Sequence, residues 1–366
     1  AQISMNSGTT ATIGADQTIQ GAGQIGSSGA TIINNGIIDA NIAEKSIELF
    51  GSFTGGAGMY RASAGELNLR SSILTDITLD TSGTGSIGAF TGNPILTNVT
   101  NLGTLTIPVT RFISLNGPLT NNGIIDINPT GSNGTTQLFF AVDSTIDGTG
   151  IINLGGTFSP SAAQISMNSG TTATIGADQT IQGAGQIGSS GATIALEGSI
   201  HPSGPSSFGQ LDMVGITNLS SSTELAVDIG GLLDGEFDRL TVSSSNPITL
   251  DGTLTVTLED GYTPAFGDRW SLIDGGTQTG FFHTVNIVDA PVGQEFRVIY
   301  SPSETFLILT CDGDLTGDAG IDFFDVSLFL SYFSNQDVRG DLNNDGEFNF
   351  FDVSLFLQIF SQGCGS

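Results

Sequence analysis

Charge is what this sequence has least of. Asp, Glu, Lys and Arg together make up 12% of 366 residues, about half the share of an ordinary soluble chain. The scarcity falls on the basic side: 8 Lys and Arg stand against 36 Asp and Glu, a formal net charge of −28. So few cations cannot neutralise a row of phosphates, which argues against nucleic acid as a partner and against anionic membrane surfaces. The chain has two histidines, His201 and His283, with no Cys or Glu at metal spacing beside them. Before His201 the only bases are Lys45, Arg61, Arg70 and Arg111, which is poor provision for proton abstraction beside an acidic sugar. No nucleophile-elbow, phosphate-loop or His-Glu-x-x-His motif is present, so the chain reads as not an enzyme. A carboxylate pair for glycoside hydrolysis is the one arrangement that sequence leaves open.

Long apolar runs are also missing. None reaches the ~20 residues of a membrane helix, so no membrane insertion is expected. No signal peptide stands at the start, and Ala1 opens the chain without Met, as in a processed chain or a fragment. Cysteine occurs twice, at Cys311 and Cys364, flanking one short stretch. Two Cys at the ends of a small unit read as a disulfide staple, hence an oxidising compartment and a secreted or cell-surface protein.

What is abundant is glycine, 52 residues, with Ser, Thr, Asn and Ile. Short β-branched runs such as Ser46–Phe53, Glu66–Leu74, Gly103–Val109 and Ile124–Ile127 alternate with Gly-rich turns, and no helical period appears before residue 323. Residues 1–32 recur unchanged at 163–194, and Asn34-Asn35-Gly36-Ile37-Ile38-Asp39 is echoed at Asn121–Asp126. A stacked coil tolerates such copying, because each coil touches only its neighbours. The expected fold is therefore mainly β. Residues 1 to about 215 form a parallel β-helix, a solenoid with coils of roughly twenty residues, Ile, Leu, Val and Ala inside and Asn and Gly at corners. Period-two runs at Glu224–Gly230, Gly252–Leu258 and Phe266–Ile273 mark 216–310 as a β-rich end domain. Arg239, Arg269 and Arg297 read there as surface charge, and Trp270 as a core anchor.

The last unit, 311–366, says one sentence twice. Asp314-Leu-Thr-Gly-Asp-Ala-Gly-Ile-Asp-Phe-Phe-Asp325 runs into Val-Ser-Leu-Phe-Leu, and Asp341-Leu-Asn-Asn-Asp-Gly-Glu-Phe-Asn-Phe-Phe-Asp352 then does so again. Oxygen-bearing groups fall at positions 1, 3, 5, 7, 9 and 12 of a loop that can wrap one calcium ion. In the first loop they are Asp314, Thr316, Asp318, the carbonyl of Gly320, Asp322 and Asp325. In the second they are Asp341, Asn343, Asp345, the carbonyl of Glu347, Asn349 and Asp352. The second loop has Gly346 at the sharp sixth position and the first has Ala319, so the second is the stronger of two expected Ca2+ sites.

Helical spacing follows each loop. Val326, Phe329, Leu330 and Phe333, with Val353, Phe356, Leu357 and Phe360, make one row per helix. These are expected to pack helix on helix. Phe324, Leu328 and Tyr332, with Phe351, Leu355 and Ile359, make a second row. Together with Phe323 and Phe350 it is expected to meet another surface: the chain's own β-region, another copy, or a surface receptor.

Tandem loop–helix units with Asp at position 12 and no helix before the loop resemble the dockerin family, small secreted calcium modules that attach proteins to cohesin receptors. The Phe-Phe-Asp-Val-Ser phrase and Gly363-Cys364 resemble more closely the dockerin-like tail of planctomycete surface proteins, which implies a sorting or anchoring role. Dockerins commonly carry small hydroxyl residues at positions 10 and 11, where this chain has Phe323-Phe324 and Phe350-Phe351. The Asn-Asn-Gly-Ile-Ile coils resemble the passenger-like β-helices of bacterial adhesins and autotransporters. Two functions are thus expected. The first is an extracellular scaffold whose calcium-folded module attaches it to a surface or joins copies head to tail in a filament. The second is a carbohydrate-binding or carbohydrate-active surface protein that uses the module as a dock.

Overall fold

The computed structural model describes every residue except Ser82, Phe158, Pro205, Ser206, Asp260, Asn344, Gly365 and Ser366. Short strands run from Gln2 to Ile175, and each pairs in parallel with the third strand before and after it until the long strand Thr180–Leu196 is reached. That connectivity is a three-sided solenoid, or parallel β-helix. Alternation decides which side chains enter it. In Thr253–Leu258 every Thr faces outward and Leu254, Val256 and Leu258 face in, as a strand's two-residue period requires. Stacked coils then align like with like. One buried column climbs from Ile47 through Leu67, Ile87, Leu105, Ile125, Ile152, Ile181, Ile200 and Leu225 to Leu254.

This column crosses position 215 without interruption, and parallel pairing continues to Thr284–Val288. Coil length varies, and does so well before that position: Ile152 is separated from its partners Ile125 and Ile181 by longer coils than Leu67 is from Ile47 and Ile87. Glu66 lies opposite Ser46 on one side and Ser86 on the other, whereas the coil that ends at Thr253 begins opposite it at Glu224 and is markedly longer. The strand Thr180–Leu196 runs along all three sides, and in the coils after it two of the three sides fuse into long bent strands, with register shifts at their corners. A hairpin of Phe296–Ser301 and Glu304–Leu309 closes this end, antiparallel to Arg269–Gly280. Trp270 is fully buried beneath it and donates its indole N–H to the Gly231 carbonyl at 2.8 Å.

The corners hold the expected Asn and Gly. Asn101 Nδ2 donates to Asn121 Oδ1 at 2.8 Å, and Asn121 Nδ2 to Gln179 Oε1 at 3.0 Å, a buried ladder that satisfies amides inside the wall. Gly123 has no substitute there, because a Cβ on it would lie 2.0 Å from the Gly103 carbonyl oxygen. The duplicated segment follows the same path in both places but with different strand lengths: Thr18–Gln20, Gly23–Ile25 and Thr31–Asn34 are separate strands, and their counterparts form the single strand Thr180–Leu196. Met5 and Met167 both donate N–H to a serine hydroxyl, of Ser27 and Ser189. Its surroundings differ: Ile165 is fully buried, while Ile3 is 45% exposed.

Two helices, α1 (Phe323–Ser334) and α2 (Phe350–Gln362), follow the solenoid. The Cys311–Cys364 disulfide ties the end of α2 back to the last strand. Among the described residues no helix is long and apolar enough to cross a membrane.

Candidate metal centre

Each loop of the C-terminal unit is wound around its own carboxylates. In the first, Asp314 accepts N–H bonds from Gly317 (2.7 Å), Asp318 (3.2 Å) and Ala319 (2.9 Å). Asp325 accepts from Leu315 and Thr316, both at 2.9 Å, and from the Thr316 hydroxyl at 3.0 Å. The second loop repeats the pattern: Asp341 accepts from Asp345 and Gly346, and Asp352 from Leu342 and Asn343. Position 7 also turns inward, as Gly320 and Glu347 donate their N–H groups to Asp318 and Asp345. In the second loop Asn343 donates to Asp345, and Asn349 to Glu347.

Positions 9 and 12 start the helices as well. Asp322 accepts from the N–H of Phe324 while Asp325 accepts from that of Asp322, each at 2.7 Å. Asn349 and Asp352 form the same capping box on α2. Such reciprocal caps satisfy helix N–H groups with or without a metal.

Caps alone leave charge uncompensated. Asp314, Asp325 and Asp352 are fully buried, and Asp341 is nearly so. Carboxylate oxygens of Asp314, Asp318 and Asp325 lie within 4.8 Å of one another. Asp318 is exposed, but the buried pair Asp314 and Asp325 stand close enough to repel unless a cation or a proton joins them. An all-oxygen set of this kind fits a hard divalent ion. This convergence occurs in the first loop, whose sixth position is Ala319. The backbone explains how: Ala319 adopts φ 64°, the left-handed conformation that Gly346 takes at φ 80° in the second.

Between the helices the core is small. Leu315, Phe329 and Phe356 are its fully buried members, with Val326, Leu328, Tyr332, Phe333, Leu342 and Val353 packed around them. The four loop phenylalanines stand clear of it: Phe323 is 73% exposed, Phe324 67%, Phe350 74% and Phe351 68%. Of the second row, Leu328, Tyr332, Leu355 and Ile359 are half-buried. Leu330 and Leu357, placed by spacing in the packed row, are instead exposed. The reason lies in the partner surface. Tyr332 turns toward the β-hairpin, sharing a small cavity with Arg297, Ile299 and Tyr300, while Ile359 lies over Gly313 and Ile321.

Two arginines complete that junction, and sequence spacing pointed to neither. Arg297 donates to the Asp312 carbonyl. It is no surface charge: burial pulls its guanidinium below the ordinary value, against Asp312 and Asp314. Arg339, between the repeats, grips Asp337 through two bonds of 2.9 and 2.6 Å and lies 4.2 Å over the Tyr332 ring. That grip holds the Asp337 carboxyl below the usual carboxylate range. No family model matches this sequence, and no curated protein matches it.

Proposed function

We propose that this chain is a non-enzymatic extracellular structural protein. Its β-helix is the shaft, and its C-terminal module is a dockerin-like device, folded by calcium, that joins the shaft to another copy of itself or to a surface receptor. The observation that carries this reading is the display of four phenylalanines, two per repeat, each at least 67% exposed. Rigid aromatic side chains left this exposed, in the same pair of positions in both repeats, are common anchors of protein contacts. In the first loop Asp314, Thr316, Asp318, the Gly320 carbonyl, Asp322 and Asp325 would hold one ion. In the second Asp341, Asn343, Asp345, the Glu347 carbonyl, Asn349 and Asp352 would hold another. Calcium there supplies charge neutralisation, which a core of three fully buried apolar side chains cannot replace. The disulfide suits an oxidising, secreted location.

Negative-stain imaging with calcium and with chelator tests the joining role. Filaments or clusters are expected in calcium, and their loss in a variant carrying F323S, F324S, F350S and F351S. Isolated particles under both conditions would overturn the head-to-tail form.

A second reading, a carbohydrate-binding surface protein, is favoured by one feature. A groove between the hairpin and the module is lined by Phe281, Phe296 and Tyr300 beside His283 and Arg339. Screening acidic and neutral polysaccharides tests it, and failure to retain any of them removes it.

A further inference from the structure

We propose that His201, Asp228 and Asp238 form a binding site for a divalent transition-metal ion of the zinc class, distinct from the calcium loops. His201 lies on strand Ser199–Pro202, one coil below strand Glu224–Ile229, which carries Asp228; Asp238 faces Asp228 across the following loop, its N–H donating to the Asp228 carbonyl at 2.9 Å. They converge on one point. His201 Nε2 lies 3.2 Å from Asp228 Oδ2 and 3.7 Å from Asp238 Oδ2, and all three donor atoms fit within 4.8 Å. Tetrahedral zinc with bonds of about 2.0–2.2 Å sets its donor atoms about 3.4 Å apart. An imidazole with two carboxylates suits zinc and its neighbours, whereas calcium takes oxygen throughout.

Charge points the same way. Asp238 is fully buried and Asp228 is 5% exposed, and Glu259 adds negative potential nearby. Arg239, next in sequence, is turned elsewhere, to Gln210 at 2.9 Å and Asp234 at 3.1 Å. Asp238 is also held as a ligand must be. Its carboxylate accepts backbone N–H bonds from Gly209 (2.7 Å) and Asp228 (3.1 Å), an outer shell that fixes its orientation. The His201 side chain keeps 15% of its surface open, a path for an ion and room for water as fourth ligand.

The full chain, stripped with chelator and returned to excess calcium to fill the loops, is titrated with Co2+ and then Zn2+. One equivalent of Co2+ with visible d–d absorption, displaced by Zn2+, is expected. His201→Gln and Asp238→Asn lose it, while His283→Gln and Asp325→Asn keep it. No absorption, or the same stoichiometry in His201→Gln, overturns the site. The melting temperature of the unaltered protein is a second reading that needs no variant: zinc is expected to raise it, and an unchanged value in saturating zinc also overturns the site.

Discussion

Phe329 and Phe356 stack with ring centroids 4.4 Å apart and planes within 2°. They hold the same place in the two repeats, counted from Asp314 and Asp341. Equivalent residues in mutual contact make the module a small internal dimer, packed as an isologous interface packs. Each helix therefore brings its own acidic loop and its own exposed Phe pair. So few buried side chains cannot hold such a unit without staples, which gives the disulfide its structural purpose and is the reason calcium is proposed as a second staple.

Removing one half of that stack is expected to unfold the module and spare the shaft. Phe356→Ala in a buried aromatic core costs about 3–5 kcal/mol. Hydrogen exchange read by mass spectrometry checks it: protection is lost over 314–362 and kept in the solenoid strands. Uniform loss along the chain would contradict it.

Ala319 adopts a left-handed conformation that costs a non-glycine residue roughly 1 kcal/mol or more. Ala319→Gly is expected to tighten calcium in the first loop several-fold and leave the second unchanged. Calorimetric titration of the variant against the parent decides this, and equal affinities would count against the loop assignment.

The duplicated segment provides an internal control for coil stacking. Ile165→Ala removes a fully buried side chain and is expected to cost about 3 kcal/mol. Ile3→Ala alters the identical position in the other copy, 45% exposed, and is expected to cost under about 1 kcal/mol. Thermal melts of the two variants compare them directly.

Replacing both Cys311 and Cys364 with Ser releases a link with a sequence separation of 53, worth roughly 4 kcal/mol in the chain-entropy picture. The expected result is a higher calcium concentration for half-maximal helical signal, measured by circular dichroism. The solenoid's melting is expected to stay as it was.

Much of the fold was legible because solenoid coils are local. Turn Gly and Asn, alternating Ile and Leu, and the copied segment mark the β-helix without any long-range knowledge. Coil length was not legible: the coils that end at Ile152 and Ile181 already outrun those below them, and Gly188–Thr193 bends within one strand although the same six residues at Gly26–Thr31 span the break between two. In the module, spacing located the loops and the exposed phenylalanines. It could not sort Tyr332 from Leu330, since both are apolar and only the nearby hairpin with Arg297 and Ile299 decides which is covered. His201, Asp228 and Asp238 carry no local pattern, because stacking and one loop bring them together.

The proposal that calcium folds the module and that the folded module joins chains is tested most directly by the mass of the protein in solution. Sedimentation equilibrium is run in calcium, in chelator, and in calcium with the four loop phenylalanines changed to Ser. The expected result is a mass above the 37.6 kDa of one chain in the first condition and a single-chain mass in the other two. A single-chain mass in all three, or an assembly indifferent to chelator, would contradict the joining role.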